Sequence, residues 1–447
     1  MSELIISVSG LRGIVGETLT PDIACRFVAA YCKKMPAGPI IVGRDGRSSG
    51  PMLRQAIIAG IIASGRDAID ADVAATPTIG VLVTHSKAAG AVQISASHNP
   101  PPYNGIKLFG ADGRVLDAVT GAAIRDAFLA GEADWCSFDK IGNVASEAEP
   151  HQPHMEKVLA TVDVPAIQQS RHRVLLDSNH GAGSLLGVPM LKALGCEVVA
   201  VGDTPDGNFA HVPEPTADNL TSIAERVRSE ACAVGFCQDP DADRLALVDA
   251  DGRYIGEEYT LALCVQRAMT EAATRGPIVI NGATSGMSER IAAAAGVESH
   301  RSAVGEANVA DMMIAKQATY GGEGNGGPID PRVGYVRDSF VGMAQILELM
   351  TKTGKSLAEL ANALPKLHIH KSKATVSPDR LPTLFDALIA KHPDATAQTG
   401  DGLRLAWPDK WLLVRGSNTE PIVRFIAEAE SEAEALALCD GAEALLT

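Results

Sequence analysis

Short β-branched runs recur along the chain, each closed by a turn rich in glycine or polar residues and followed by apolar residues at helical spacing. Pro39–Gly43 (PIIVG) predicts a strand and Pro51–Ser64 the helix after it. His172–Asp177 predicts a second strand, Ser178–Gly183 a turn, a helix to about Leu194, and then the strand Cys196–Val201. Pro277–Asn281 repeats the theme, with a helix from about Ser285 to Ala295. Such strand–turn–helix repetition predicts parallel βαβ units in doubly wound sheets with helices on both faces. The pattern breaks in a polar stretch from about Ser137 to Pro153, after Gly252–Gly256 where a long helix (about Glu257 to Thr274) begins, and near Leu364–Lys373. Beyond the last break lie short strands, a hairpin-like turn (Trp407–Trp411) and a closing helix, Ser431–Leu446. The fold class expected is α/β: three similar doubly wound α/β domains, 1–150, 151–256 and 257–366, and a C-terminal α+β domain, 367–447, around a central cleft.

Composition sharpens this picture. Hydrophobic residues make up 46% of the 447 positions but aromatics only 4%, so the core must be aliphatic and alanine-rich. The formal net charge of −15 argues against a general nucleic-acid or membrane-surface binder, which needs a basic face. It leaves room for an anionic small molecule held by local arginines. Eight cysteines show no C-x-x-C pair or zinc spacing and read as reduced, largely buried residues of a cytoplasmic protein. The N-terminus lacks a signal-peptide pattern, and the longest apolar run, Ile57 to Ala63, is too short for a bilayer.

Four segments carry candidate chemistry. In Ile94–Lys107 (ISASHNPPPYNGIK), a predicted strand, Gly90–Ile94, enters a loop whose three prolines bar a helix and present the Ser97 hydroxyl beside His98. In Gln238–Arg244 (QDPDADR), Asp239, Asp241 and Asp243 alternate in a turn between the apolar strands Ala231–Cys237 and Leu245–Asp249. Two bare charges about 4 Å apart repel by about 4 kcal/mol at an effective dielectric near 20, and a hard divalent cation relieves that. Oxygen ligands without His or Cys suit magnesium. Gly321–Gly327 (GGEGNGG) contains a formal G-x-G-x-x-G, but Pro328 and Pro331 prevent the helix a dinucleotide site requires. It reads as a flexible loop offering Glu323 and Asn325 to sugar hydroxyls. Arg415–Arg424 (RGSNTEPIVR) joins two predicted strands and gathers Arg415, Ser417, Asn418, Thr419 and Arg424 into a phosphate cradle. Two weaker arginine clusters, at Arg12 and at Gly43-Arg44-Asp45-Gly46-Arg47, serve the same pocket or pair with nearby acids.

Together and in this order, these segments resemble the α-D-phosphohexomutase superfamily over essentially the whole chain, one motif per expected domain. Ser95-Ala96-Ser97-His98-Asn99-Pro100 matches the family's T-A-S-H-N-P loop, which implies that Ser97 is the phosphoserine. Asp239, Asp241, Asp243 and Arg244 match D-x-D-x-D-R, whose aspartates bind Mg2+ together with the phosphoserine. Arg415, Ser417, Asn418 and Thr419 match the loop that grips the non-reacting phosphate, with Arg424 just beyond. Lys107 matches the lysine of G-I-K, which contacts the transferring phosphoryl group, and Arg12 the N-terminal arginine. The sugar loop departs from the usual G-E-x-S-G-H: Glu323 is kept, while Asn325 and Gly327 replace serine and histidine. That form resembles archaeal-type phosphoglucosamine mutases, which makes an amino sugar the first expectation.

The resemblance implies a phosphoryl shift between C1 and C6 of a hexose phosphate, through a hexose 1,6-bisphosphate, by a monomer or homodimer. Lys107 and His98 are both candidates for the general acid/base. A magnesium-dependent serine phosphatase and a non-catalytic sugar-phosphate sensor are the rival readings.

Overall fold

The structure is a computed structural model describing residues 4–272, 274–376, 378–416 and 422–446. It contains four sheets that follow one another along the chain. The first has seven strands in the order Ile5–Ser7, Gly10–Ile14, Tyr103–Phe109, Gly90–Ile94, Ile40–Arg44, Ala68–Val73 and Val144–Ser146. The second runs Leu245–Asp249, Val234–Gln238, Arg173–Asp177, Glu197–Val201, and the third Ser299–Ser302, Ile278–Asn281, Tyr320–Glu323, Gly327–Ile329. The fourth is antiparallel throughout: His368–Thr375, Ile422–Ala429, Trp411–Gly416, Gly402–Ala406, Thr396–Gly400.

The first three sheets are mixed, not wholly parallel as the strand–turn–helix repetition suggests. The βαβ strands pair in parallel, as Ile40–Arg44 does with both neighbours. In each sheet one strand then returns through a short connection and pairs antiparallel: Gly90–Ile94 with Tyr103–Phe109, Val234–Gln238 with Leu245–Asp249, and Tyr320–Glu323 with Gly327–Ile329. A connection of a few residues cannot carry the chain back to the other end of a strand, so only the antiparallel return is open to it. The chemistry-bearing segments of the sequence sit at these hairpin tips.

Aliphatic side chains fill the cores. One core continues from the second sheet to the third (Leu176, Phe236, Leu261, Ile280, Phe340 and Leu347) and buries the helices Glu257–Thr270 and Ser339–Thr353. The long helix after Gly256 ends at Thr270, short of the expected Thr274. Asp338 starts the second helix by accepting hydrogen bonds from the backbone N–H groups of Phe340 and Val341. In the fourth unit Leu388, Leu403, Leu412 and Phe425 pack on one sheet face, which the helices Leu381–Lys391 and Glu432–Glu443 cover.

The other face of the fourth sheet meets the third unit. Trp411, Leu413 and Ile426 pack against Ala283 and Val304. The buried Glu428 carboxylate accepts from Ser285 Oγ, from the Gly286 N–H (2.8 Å) and from Trp411 Nε1 (2.8 Å). Among the described residues no helix is long and apolar enough to cross a membrane.

Candidate active site

In the first tip, between Ile94 and Tyr103, Ser95, Ala96 and Ser97 are buried, while the three prolines Pro100–Pro102 are exposed. Ser97 adopts φ +48°, the left-handed region that a serine enters at a cost of about 1–2 kcal/mol. That conformation goes with an Oγ aimed at the second tip, where it donates to Asp239 Oδ2 at 2.6 Å. His98 Nδ1 lies 3.3 Å from the same Oγ.

Alternation in the second tip brings one oxygen each from Asp239, Asp241 and Asp243 within 4.8 Å of one another, and all three residues are fully buried. Lys107, on the returning strand of the first hairpin, reaches Asp241 Oδ2 (2.5 Å) and Asp243 Oδ2 (3.1 Å). Thr76 Oγ1 also donates to Asp241 Oδ2, and the Arg244 N–H donates to Asp239 Oδ1 at 3.1 Å. Asp241 Oδ1 and Asp243 Oδ1 are buried with no hydrogen-bond partner. An ionised oxygen left so in a protein interior is strongly disfavoured unless a cation joins it. Three carboxylates and a hydroxyl therefore fit a hard divalent ion such as magnesium.

Burial, reinforced by Asp243 and Asp241, raises the Asp239 carboxyl well above its ordinary range. Burial opposes the Asp243 charge too, but Arg337, Lys107 and Arg244 outweigh it and hold that carboxyl low. For Lys107 burial is likewise overcome, by Asp241 and Asp243, and the ammonium is held above its usual value. Arg244, then burial, then Arg12 push the His98 imidazole down to about 2, so it is neutral at physiological pH. Arg12 donates to Asn99 Oδ1 at 2.6 Å, and its own burial lowers its pKa.

The third tip is a tight, buried hairpin and not the flexible loop expected from its glycines. A Cβ at Gly324 would fall 1.9 Å from Glu258 Oε2, and one at Gly326 (φ +81°) 2.3 Å from the Leu245 carbonyl oxygen. The glycines let this tip lie directly on the strand leaving the carboxylate tip. Glu323 is engaged: Oε1 accepts from Asn281 Nδ2 (2.7 Å) and the Gly305 N–H (3.0 Å), and Oε2 from Arg337 (2.7 Å) and Asn325 Nδ2 (3.3 Å). Asn325 Oδ1 is buried without a partner.

Arg337 is absent from the motifs read in the sequence. It bridges Glu323 to Asp243 Oδ2 (2.7 Å) and so joins the third tip to the carboxylates. No spacing rule marks it; its only sequence signal is a lone arginine just before the helix-capping Asp338.

In the fourth unit Arg415 pairs with Asp401, whose other oxygen accepts the Val304 N–H of the third unit at 2.7 Å. Arg415 and Arg424 are cross-strand partners and project from one sheet face. Ser417, Asn418 and Thr419 lie outside the described residues. The structure thus brings Ser97, His98, Lys107, Arg12, Arg244 and the three aspartates together, with Glu323 joined through Arg337. Arg44, by contrast, pairs with Asp72 at 2.8 Å.

Four successive stretches match the descriptions Phosphoglucomutase/phosphomannomutase, alpha/beta/alpha domain I (residues 4–134), domain II (152–252), domain III (257–368) and C-terminal domain (376–445). A phosphoglucomutase/phosphomannomutase of Thermococcus kodakarensis is 37% identical over 440 residues, 95% of this chain and 94% of that protein. A probable phosphoglucosamine mutase of Methanopyrus kandleri is 33% identical over 435 residues, 97% of this chain and 95% of that protein. Among solved structures, a phosphoglucomutase/phosphomannomutase family protein from Burkholderia thailandensis superposes with a TM-score of 0.84 at 26% identity, over 98% of this chain and 96% of that one.

Proposed function

The chain belongs to the phosphoglucomutase/phosphomannomutase family, and from that premise we propose that it moves a phosphoryl group between C1 and C6 of a hexose phosphate, glucosamine phosphate first among them. One observation carries the reading: the Ser97 hydroxyl, in a left-handed turn, meets a buried carboxylate triad at 2.6 Å while two of the triad's oxygens accept no hydrogen bond.

In this scheme Asp239, Asp241, Asp243 and Ser97 Oγ hold Mg2+. The ion, when bound, supplies charge neutralisation at the transferring phosphoryl group. Ser97 carries the phosphoryl group in the resting enzyme, an added charge of about −1.5 to −2. Lys107, Arg244 and Arg12 surround that charge and favour its spreading in the transition state. The substrate's free hydroxyl takes the phosphoryl group from Ser97, giving a hexose 1,6-bisphosphate. The sugar turns over, and Ser97 Oγ takes the other phosphate. The first transfer takes a proton from the attacking sugar hydroxyl and supplies one to Ser97 Oγ, and the second reverses both; His98, 3.3 Å from Oγ, and Lys107, on the carboxylates, are the two candidates for the general acid/base. Arg415, Arg424 and the Ser417–Thr419 stretch hold the phosphate that is not reacting, and Asn325 and Glu323 meet the sugar hydroxyls. Domains divided near residues 150, 256 and 366, a cytoplasmic location, and a monomer or homodimer complete the reading.

A second reading, glucose or mannose phosphate as the preferred substrate, is favoured by the name of the Thermococcus kodakarensis relative at 37% identity. The test is a coupled mutase assay with glucosamine 6-phosphate, glucose 1-phosphate and mannose 1-phosphate in parallel, with magnesium and a trace of sugar bisphosphate. The ratio of kcat/KM values names the sugar. Absence of turnover on all three would sink the mutase reading.

A further inference from the structure

Arg47 belongs to the Gly-Arg-Asp-Gly-Arg motif that the proposed chemistry does not use. Its side chain is 2% exposed, yet it touches neither the carboxylate triad nor the Ser97 hydroxyl through any hydrogen bond. A guanidinium has five N–H donors, and here all five are engaged. Nε donates to Asp45 Oδ2 at 3.2 Å. One terminal nitrogen donates to the carbonyls of Pro100 (3.0 Å) and Tyr103 (3.1 Å), and the other to those of Ser97 and Asn99, both at 2.6 Å. Four carbonyls of the nucleophile turn, including that of Ser97 itself, thus converge on one side chain. The turn is held from its other side as well: the Ser97 N–H donates to Ser95 Oγ (2.9 Å), and Ser95 Oγ donates to Asp45 Oδ2 (2.7 Å), the oxygen that Arg47 also engages.

The outer face of Arg47 is covered from the second unit. The Phe209 ring lies on the guanidinium, its centroid 5.0 Å from Cζ. Phe209 is held by a loop that is itself anchored: Asn179 Oδ1 accepts from Ala210 (2.8 Å) and His211 (3.3 Å), and His211 Nε2 meets Asp177 Oδ2 at 2.8 Å. The two segments touch backbone to backbone. A Cβ on Gly46 would fall 2.2 Å from the His180 carbonyl oxygen, and one on Gly207 would fall 2.7 Å from Arg47 Cα.

We propose that Arg47 is the positioning residue that holds Ser97 in its reactive left-handed conformation, and that Phe209 of the second unit locks Arg47 in place. The catalytic consequence rests on the mutase reading above; the positioning itself does not. The second unit then supplies both the carboxylates that Ser97 faces and the cover on the clamp that orients it. Docking of the first two units and assembly of the nucleophile become one event.

The test compares Phe209→Leu, which keeps an apolar side chain but loses the ring face, with Phe209→Tyr, which keeps it, and adds Arg47→Lys, which lacks the fork. Each protein is assayed for mutase turnover and for amide hydrogen exchange in residues 95–104, with 40–44 as internal reference. For Phe209→Leu the expected result is exchange about tenfold faster in 95–104 alone, and kcat about tenfold lower with KM unchanged. Phe209→Tyr should restore both. Arg47→Lys should lower kcat by about a hundredfold, as expected for a misplaced reacting group. Faster exchange in 95–104 with a wild-type protein that turns over no hexose phosphate would keep the positioning role and remove the mutase reading. Unchanged exchange in 95–104 for both Phe209→Leu and Arg47→Lys would overturn the proposal whatever the activity. So would exchange that rises equally in 40–44, or KM rising in step with a falling kcat.

Discussion

At the scale of single residues, function is concentrated in groups that the fold leaves unsatisfied. Ser97 sits in a conformation that costs energy, and Asp241 and Asp243 each keep a buried oxygen that accepts no hydrogen bond. Ser97→Ala removes the proposed acceptor while leaving the tip's framework intact, so turnover should fall by about a thousandfold or more with no loss of thermal stability. The coupled assay and a melting curve read the two effects separately. Arg337 makes the contrary case. It is buried between Asp243 and Glu323, and removing one member of such a pair typically costs about 3–5 kcal/mol. Arg337→Met should therefore melt early. Because it leaves Asp243 less neutralised, added magnesium should raise its Tm more than that of the wild type; an equal shift in both proteins would show that Arg337 and the ion do not share that carboxylate. The aspartates were legible in the sequence because alternation in a short turn forces them together. Arg337 was not, because a partner reached across 94 positions leaves no local pattern.

At the scale of elements, the helix Glu257–Thr270 opens with two acidic residues in its first turn. Burial raises both carboxyls to about 7, and Glu257 Oε1 is buried without a partner. A carboxyl whose folded pKa lies above its unfolded value stabilises the fold most when protonated. That contribution is complete below about 4.5 and is lost as the pH rises through about 7. Glu257→Gln should leave Tm unchanged at pH 4 and raise it at pH 8, by a stability on the order of 1 kcal/mol once solvent screening is allowed for. Equal Tm values at pH 8 would contradict this. The third tip makes a prediction of its own. Gly326→Ala adds a Cβ 2.3 Å from a backbone oxygen at positive φ, so it should destabilise by about 1–3 kcal/mol and loosen the tip, and if that tip meets the sugar as proposed KM should rise. Most element types could be read from periodicity, since each βαβ repeat carries its own apolar rhythm. The antiparallel returns could not: a strand's residues do not state which neighbour it will join, and a run of glycines reads as freedom until the surface it lies against is known.

At the scale of the molecule, the units are joined by different means. Thr76 bonds to Asp241, and the buried chain from Thr78 through His154 to Asp338 links the first and third units at 2.9 and 2.7 Å. The fourth unit is held largely by one apolar patch, the Glu428 acceptor and the Asp401 contact. Glu428→Ala would leave three buried donors facing no acceptor, at a cost of about 2–4 kcal/mol. The expected outcome is faster proteolytic cleavage between the third and fourth units, and an unchanged cleavage pattern would show the seam does not depend on it.

The three hairpins carry a consequence for how such a protein can change. In each of the first three units the reactive segment begins where one strand stops and ends where its antiparallel neighbour starts, so the flanking register is closed before the tip begins. The strand pairing therefore does not dictate what the tip displays, and the limits on each tip come from the surface it lies against. The frame is a socket: the same two-strand mount displays a hydroxyl in one copy, carboxylates in the next and an amide in the third. Specificity in such a molecule can drift one socket at a time, but in the third socket Asn325 alone is open to exchange, because neither Gly324 nor Gly326 has room for a Cβ.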